Sequence, residues 1–331
     1  MSRDARWRAD LALVLVSLFW GVTFPLIRGA LESVEPFAFI GWRFALATAA
    51  FLPFVLVRPE ARRGLARVLG PGALLGALAW TAYVSQTIGL QTVPAGRAAF
   101  ITGTSVIIVP LLAPAFRAGA PRRIDLLAAL VAAAGLYLLT RGEGHGEGLG
   151  TGDLWVVGCA VSYSVYLLVL QRVLRVQHDV VALSFVQVAS IGVVGGSILA
   201  ARGGVGIELN GEVLRALLFC ALVATVGTFW LQTRFQGSTT PQRAALIFAL
   251  EPVFATVFAW WWLGEGLDPA GMAGAALILA AVLGVELMAL GSADSRAAAS
   301  GSGKAGPTPV DSRGHEFSRP RTIRRPRRPG R

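Results

Sequence analysis

The chain has 331 residues, 54% of them hydrophobic and 15% charged, with a mean hydropathy of +0.62. That balance excludes an ordinary soluble domain and indicates an integral membrane protein. The net charge of +11 is concentrated at one end, where residues 291–331 hold ten Lys/Arg against three Asp/Glu.

A spanning helix needs roughly 20 mainly apolar residues, because the hydrocarbon layer is about 30 Å thick and a helix rises about 1.5 Å per residue. In chain order the runs that qualify are Leu11 to Ala30, Phe37 to Val57, Pro71 to Gln91, Gly96 to Phe116, Ile124 to Thr140, Leu154 to Gln171, Val181 to Ala201, Val213 to Gln236, Gln242 to Leu263 and Pro269 to Leu290. Lipid supplies no water to open backbone groups, and the runs lack period-2 alternation, so helices are expected and a barrel is not. The first run follows Arg3, Arg6 and Arg8 but has no small-residue cleavage pattern, so it reads as a retained helix rather than a signal peptide.

Loop charges alternate along the chain. Arginines gather before the first run, after the second (Arg58, Arg62, Arg63, Arg67), after the fourth (Arg117, Arg122, Arg123) and after the sixth (Arg172, Arg175). The intervening loops carry acids instead: Glu32 and Glu35; Glu143, Glu147 and Asp153; Glu208 and Glu212; Glu265 and Asp268. This bias places both termini in the cytoplasm after ten crossings of the inner or plasma membrane. The tail 291–331, rich in Ser, Gly, Pro and Arg, is expected to be disordered and to lie against anionic lipid. It lacks the aromatic interleaving of a nucleic-acid binder.

The stretch VPAGRAAFITGTSVIIVPLLAPAF (93–116) aligns with TTPQRAALIFALEPVFATVFAWW (239–261), Arg97 on Arg243. The fourth run therefore matches the ninth, five runs later. Because five is odd, the second copy enters the membrane from the opposite side, the inverted-repeat plan of many secondary transporters. The expected fold is an all-α integral membrane protein of ten transmembrane helices in two inverted five-helix repeats. Its divisions are a cytoplasmic N-terminus (1–10), a first repeat (11–140), an external linker (141–153), a second repeat (154–290) and the tail.

Three stretches resemble the EamA family of the drug/metabolite transporter superfamily: SLFWGVTFPLIRGAL (17–31), PFAFIGWRFALA (36–47) and ALEPVFATVFAWWWLGE (249–265). The resemblance runs from Leu11 to about Leu290. It implies a ten-helix carrier of two five-helix repeats that moves small metabolites, often outward, with substrate held among helices 1 to 4 and 6 to 9.

Within the runs, Glu251 stands about 13 Å inside the ninth at about 1.5 Å per residue, so it must face a cavity or a partner. Pro252 frees the Phe248 carbonyl beside it. The pair can bind a cation, a proton or a substrate amine, and Glu251 can equally be a structural acid bonded to a neighbouring helix. Arg43 either snorkels to the outer interface toward Glu32 or Glu35, or binds a substrate carboxylate. Arg97 and Arg243 open the fourth and ninth runs as interface anchors or gates. Trp20, Tyr83, Gln86, Thr102, Ser105, Tyr163, Tyr166, Gln187, Thr228 and Gln232 supply further polar or aromatic groups, as a small-molecule site or as interhelical hydrogen bonds and packing. Tyr83 with Gln86, and Tyr163 with Tyr166, share helix faces. Pro110 and Pro114 are expected to bend the fourth run as hinges. Gly72 with Gly76, and Gly192 with Gly196, mark close helix packing.

His145, His178 and His315 fall in loops or the tail, Cys159 and Cys220 have no metal spacing, and there is no HExxH, GxSxG or Walker A pattern. An enzyme, a metal site and a cofactor are therefore not expected. With no ATP-binding loop, the energy must come from an ion gradient, from exchange or from the substrate's own gradient, and Glu251 makes a proton attractive. The expected function is alternating-access transport, foremost efflux of amino acids or related compounds. A lipid or lipid-carrier translocase of the same fold is the rival. The expected partners are a small-molecule substrate, the bilayer and a coupling proton, with a homodimer left open.

Overall fold

The computed structural model describes residues 3–140, 150–177, 179–203, 209–263 and 269–302. Acidic loop residues Glu143, Glu147, Glu208, Glu265 and Asp268, the three histidines and most of the basic tail lie outside them. The main body, Met1–Glu286, is helical throughout its described elements.

The elements are α1 (Arg3–Ala30), α2 (Pro36–Leu56), α3 (Pro59–Gly89), α4 (Ala95–Gly103), α5 (Ser105–Leu112), α6 (Arg123–Thr140), α7 (Thr151–Val173) and α8 (Val180–Ala201). They continue with α9 (Gly211–Leu218), a π-helical stretch (Phe219–Gly227), α10 (Thr228–Phe235), a short 3-10 turn (Gln236–Ser238), α11 (Pro241–Phe248), α12 (Glu251–Leu263) and α13 (Pro269–Ser302). Local chemistry sets many of the boundaries. Prolines open α2, α3 and α11, where a missing N–H costs nothing and the fixed φ suits the first turn. Side chains of Asp179, Asn210 and Thr240 accept hydrogen bonds from the first amides of α8, α9 and α11.

Among the described residues, seven helical stretches are long and apolar enough to cross a membrane: Trp7–Ala30, Pro36–Leu56, Pro59–Gly89, Ala95–Leu112, Thr151–Val173, Val180–Ala201 and Gly211–Ser238. Their outward faces stay apolar, with Leu52, Leu74, Leu111, Val193 and Leu222 exposed. Such a surface would be an aggregation hazard in water and is the expected solute for lipid.

α2 packs on α8, α3 on α7 and α8, and α1 on α12. Small residues permit the closest approaches: a Cβ on Gly76 would stand 2.9 Å from the Gln187 carbonyl, and one on Gly192 would stand 3.1 Å from that of Phe44. Gly196, expected to share this role, faces open space, and Gly195 instead meets the Gly41 backbone.

Two expected spans are broken. The fourth is interrupted at Thr104, where the amide reaches the carbonyls of both Phe100 and Ile101, and the hydroxyl donates to Ile101. That tightening comes ahead of Pro110, which sits inside α5, and α5 ends at Leu112, so Pro114 lies in the following turn. The fourth span thus breaks at Thr104, ahead of the two prolines expected to bend it. The ninth span is interrupted at Ala249 and Leu250, directly before Glu251 and Pro252. Here the sequence logic holds: Pro252 has no N–H to offer the Phe248 carbonyl.

The second unit begins at Leu287. Its described residues are helical to Ser302, although residues 291–302 were expected to lack regular structure. Ala297, Ala298 and Ala299 explain the difference, because alanine has the highest intrinsic helix propensity.

Candidate functional site

The two broken spans cross at their breaks. α4 packs against α12 and α5 against α11, so the spans run antiparallel, and a Cβ on Gly103 would lie 3.4 Å from the Pro252 ring. Thr104 stands as far beyond Arg97 as Leu250 stands beyond Arg243, so the breaks are equivalent positions of the two aligned stretches.

Each of these arginines holds an aspartate. Arg97 Nη2 meets Asp153 Oδ2 at 2.8 Å, with side chains 11% and 5% exposed, and Asp153 also accepts the Gly150 amide that opens α7. Arg243 Nη2 meets Asp10 Oδ2 at 2.8 Å, with side chains 11% and 15% exposed. α1 follows α11 and α12 in the same direction: Asp10 pairs with Arg243, the Ser17 hydroxyl donates to the Ile247 carbonyl, and Gly21 abuts the Glu251 carbonyl. The ion pairs therefore sit toward opposite ends of the antiparallel crossing.

Beside the crossing lies a cavity walled by residues of six helical elements. Its wall includes Trp20 and Thr23 from α1, Ala79, Ala82, Tyr83 and Gln86 from α3, and Thr102 from α4. Cys159, Tyr163 and Tyr166 come from α7, Phe229 and Gln232 from α10, and Glu251 from α12. Eight residues proposed from sequence thus share one cavity: Trp20, Tyr83, Gln86, Thr102, Tyr163, Tyr166, Gln232 and Glu251. The sequence reading missed Thr23, Cys159 and Phe229. Thr23 and Cys159 were visible as polar or polarisable groups one helical turn from Trp20 and Tyr163, whereas Phe229 carried no signal that separates a wall residue from core packing.

The wall is internally braced. Gln232 Nε2 donates to the Tyr163 hydroxyl at 3.1 Å and to Gln236 Oε1 at 2.9 Å, the Tyr166 hydroxyl donates to Gln187 Oε1 at 2.8 Å, and Gln86 Nε2 approaches Thr102 Oγ1 at 3.5 Å. Trp20 and Tyr163 meet edge to face at 5.5 Å, and Tyr163 stacks with Tyr166 at 5.7 Å. Glu251 is 7% exposed, and no described side chain hydrogen-bonds or ion-pairs its carboxylate.

Arg43 is not part of this wall, nor does it reach toward the loop that holds Glu32 and Glu35, where Glu35 is instead paired with Arg202. It is 2% exposed, donating from Nε to Thr225 Oγ1 at 3.0 Å and from Nη2 to the Ala224 carbonyl at 3.2 Å, with its guanidinium 4.7 Å from the Tyr83 ring centre. The π-helical stretch explains this placement. Where it reverts to α-helix at Thr228, the change of register opens carbonyls, and Ala224 accepts from Arg43, from the Trp20 indole and from the Thr228 hydroxyl. Of the other polar groups proposed from sequence, Ser105 and Gln187 are buried outside the wall.

The EamA-like transporter family matches residues 7–141 and again residues 150–287. The chain belongs to this family. It is a membrane transporter of the EamA type. An uncharacterized transporter of Archaeoglobus fulgidus is 34% identical over 285 residues, covering 85% of this chain and 87% of that protein. A probable terminal-alkyne amino-acid exporter of Streptantibioticus cattleyicolor is 26% identical over 300 residues, covering 86% and 95%. A solved crystal structure superposes with a TM-score of 0.69 at 20% identity, covering 86% of this chain and 98% of that one, a likeness of fold alone.

The two EamA matches give the ion pairs their order. Asp10 stands as far into the first match as Asp153 stands into the second. Each arginine therefore reaches across to an aspartate near the start of the other EamA unit, and the cavity takes its wall from both.

Proposed function

We propose that the chain is a secondary-active transporter of small metabolites, foremost an exporter of amino acids or related compounds, working by alternating access in the inner or plasma membrane. On this reading ten helices cross the membrane as two inverted repeats with both termini cytoplasmic, α6, the broken α11–α12 span and α13 completing the set. The observation that carries the proposal is the reciprocal pair of ion pairs, Arg97 with Asp153 and Arg243 with Asp10, one toward each end of a crossing whose centre is the Glu251 cavity.

Alternating access needs a site closed from one side while open to the other. In this scheme each bridge closes one end of the cavity. Parting Arg97 from Asp153 opens one end and parting Arg243 from Asp10 opens the other, while the breaks at Thr104 and Leu250 let the half-helices tilt without losing a full ladder of backbone bonds. The Streptantibioticus relative's name supports efflux of an amino-acid-like solute. Glu251, whose carboxylate has no partner among the described side chains, is the coupling group in this scheme: it holds either a proton or the substrate's charge.

Uptake into proteoliposomes tests the coupling. Uphill accumulation should collapse when an ionophore dissipates the pH gradient, and the Glu251→Gln variant should retain only downhill exchange. Accumulation that survives the loss of the gradient would rule out proton coupling.

A further inference from the structure

The charge in the cavity is one-sided. Among its described wall residues Glu251 is the only charged one, and neither lysine nor arginine joins it. The residue is more than nine-tenths buried, it lines the cavity, and its carboxylate has no partner among the described side chains. A carboxylate withdrawn from water is costly unless a cation or strong donors meet it, so the site is incomplete until something arrives to supply them. The neutral remainder of the wall mixes the rings of Trp20, Tyr83, Tyr163, Tyr166 and Phe229 with the polar side chains of Thr23, Gln86, Thr102 and Gln232; aromatic faces attract cations and aromatic bodies accept apolar groups.

A substrate carboxylate finds no equivalent. Arg43 lies behind the wall over Tyr83, with Nε committed to Thr225 and Nη2 to the Ala224 carbonyl. To reach the cavity it would have to abandon that carbonyl at the end of the π-helical stretch. A free carboxylate would then meet the like charge of Glu251 with only neutral donors to offset it.

We propose that this cavity selects organic cations: an ammonium group on an apolar or aromatic body pairs with Glu251, and no basic side chain of the described wall answers a free carboxylate. The proposal rests on reading the cavity as the transport site and, among small metabolites, moves the preferred substrate from free amino acids to their amine and carboxyl-blocked relatives. Amines, quaternary ammonium compounds and carboxyl-blocked amino acids are preferred to the parent zwitterions.

The test holds the apolar body constant and changes its charge. Binding of phenethylamine, phenylalanine and 3-phenylpropanoate is measured on the full chain in nanodiscs, followed by counterflow of each in proteoliposomes. Phenethylamine should bind at least about tenfold more tightly than phenylalanine, with 3-phenylpropanoate weakest. Glu251→Gln, its fold checked by an unchanged melting temperature, should lose about tenfold or more for the amine. If that variant does not fold, the charge series on the wild-type chain decides alone. Phenylalanine binding as tightly as the amine, or amine binding unchanged in a folded Glu251→Gln variant, would overturn the assignment. Exchange of phenylalanine or 3-phenylpropanoate without exchange of the amine would overturn it and leave the transporter reading standing. Failure of all three to bind or exchange would overturn both.

Discussion

Arg97 on α4 and Asp153 near the start of α7 meet at 2.8 Å with both side chains nearly buried, joining the fourth helical segment of one EamA unit to the first helix of the other. The same relation, with the units exchanged, joins Arg243 to Asp10. Removing one partner of a pair this buried leaves an uncompensated charge, which costs about 3–5 kcal/mol in fully buried cases and less here. Asp153→Asn and Asp10→Asn should therefore bias the chain toward opposite open states. Thiol accessibility of Cys159 to a water-soluble reagent added from one side of oriented vesicles should rise in one variant, and added from the other side in the other. A rise from the same side in both would remove the gate assignment.

Arg43 should behave as a structural group. Arg43→Met keeps the stem and removes the bonds to Ala224 and Thr225, so the melting temperature should fall, for a loss of about 2–3 kcal/mol. Arg43→Lys should be nearly as damaging, because an ammonium cannot span the two acceptors as a guanidinium does. Transport by the protein that remains folded should show KM within about twofold of wild type, which is under about 0.4 kcal/mol. A large rise in KM with stability intact would make Arg43 a substrate ligand.

Gly21 sets the distance between α1 and the turn that presents Glu251. A Cβ there would stand 2.8 Å from the Glu251 carbonyl and 2.8 Å from Phe254 Cβ. Gly21→Ala must push the helices apart, at about 1–3 kcal/mol for overpacking. Reduced stability with reduced exchange is expected, whereas Gly284→Ala, which meets nothing within 4 Å, should leave both unchanged.

Pro252→Ala supplies the amide that the Phe248 carbonyl lacks, allowing α11 and α12 to join. The variant should be as stable as wild type or more so, and should exchange substrate several-fold more slowly, as measured by counterflow. Undiminished exchange would show that the break at Leu250 does not move during transport.

Much of this was legible in sequence, for a physical reason. Lipid enforces long apolar runs, so the spans appear as composition, and a polar group inside such a run is conspicuous. That is why Glu251, Tyr83, Gln86, Thr102 and Gln232 were found before any coordinates placed them on one cavity. Partners far apart in the chain were not legible. Asp153 read as one loop acid among several, and Asp10 drew no notice at the end of the N-terminal segment, until packing set them against Arg97 and Arg243. Arg43 looked free to snorkel because nothing in the apolar run Phe219–Gly227 reveals that a π-helical register will open carbonyls for it. Thr104 lacked the proline that announces a break, and the two prolines that drew the prediction lie beyond it.

The most direct test of alternating access is counterflow in proteoliposomes preloaded with a panel of amines and amino acids, using a chain that carries Arg97→Cys and Asp153→Cys in a background without Cys159 and Cys220. Bridging the two introduced thiols with a short, reducible bis-methanethiosulfonate linker should abolish a saturable exchange that the unlinked chain performs, and reduction should restore it. Exchange that continues at the same rate through the linked chain would contradict the account.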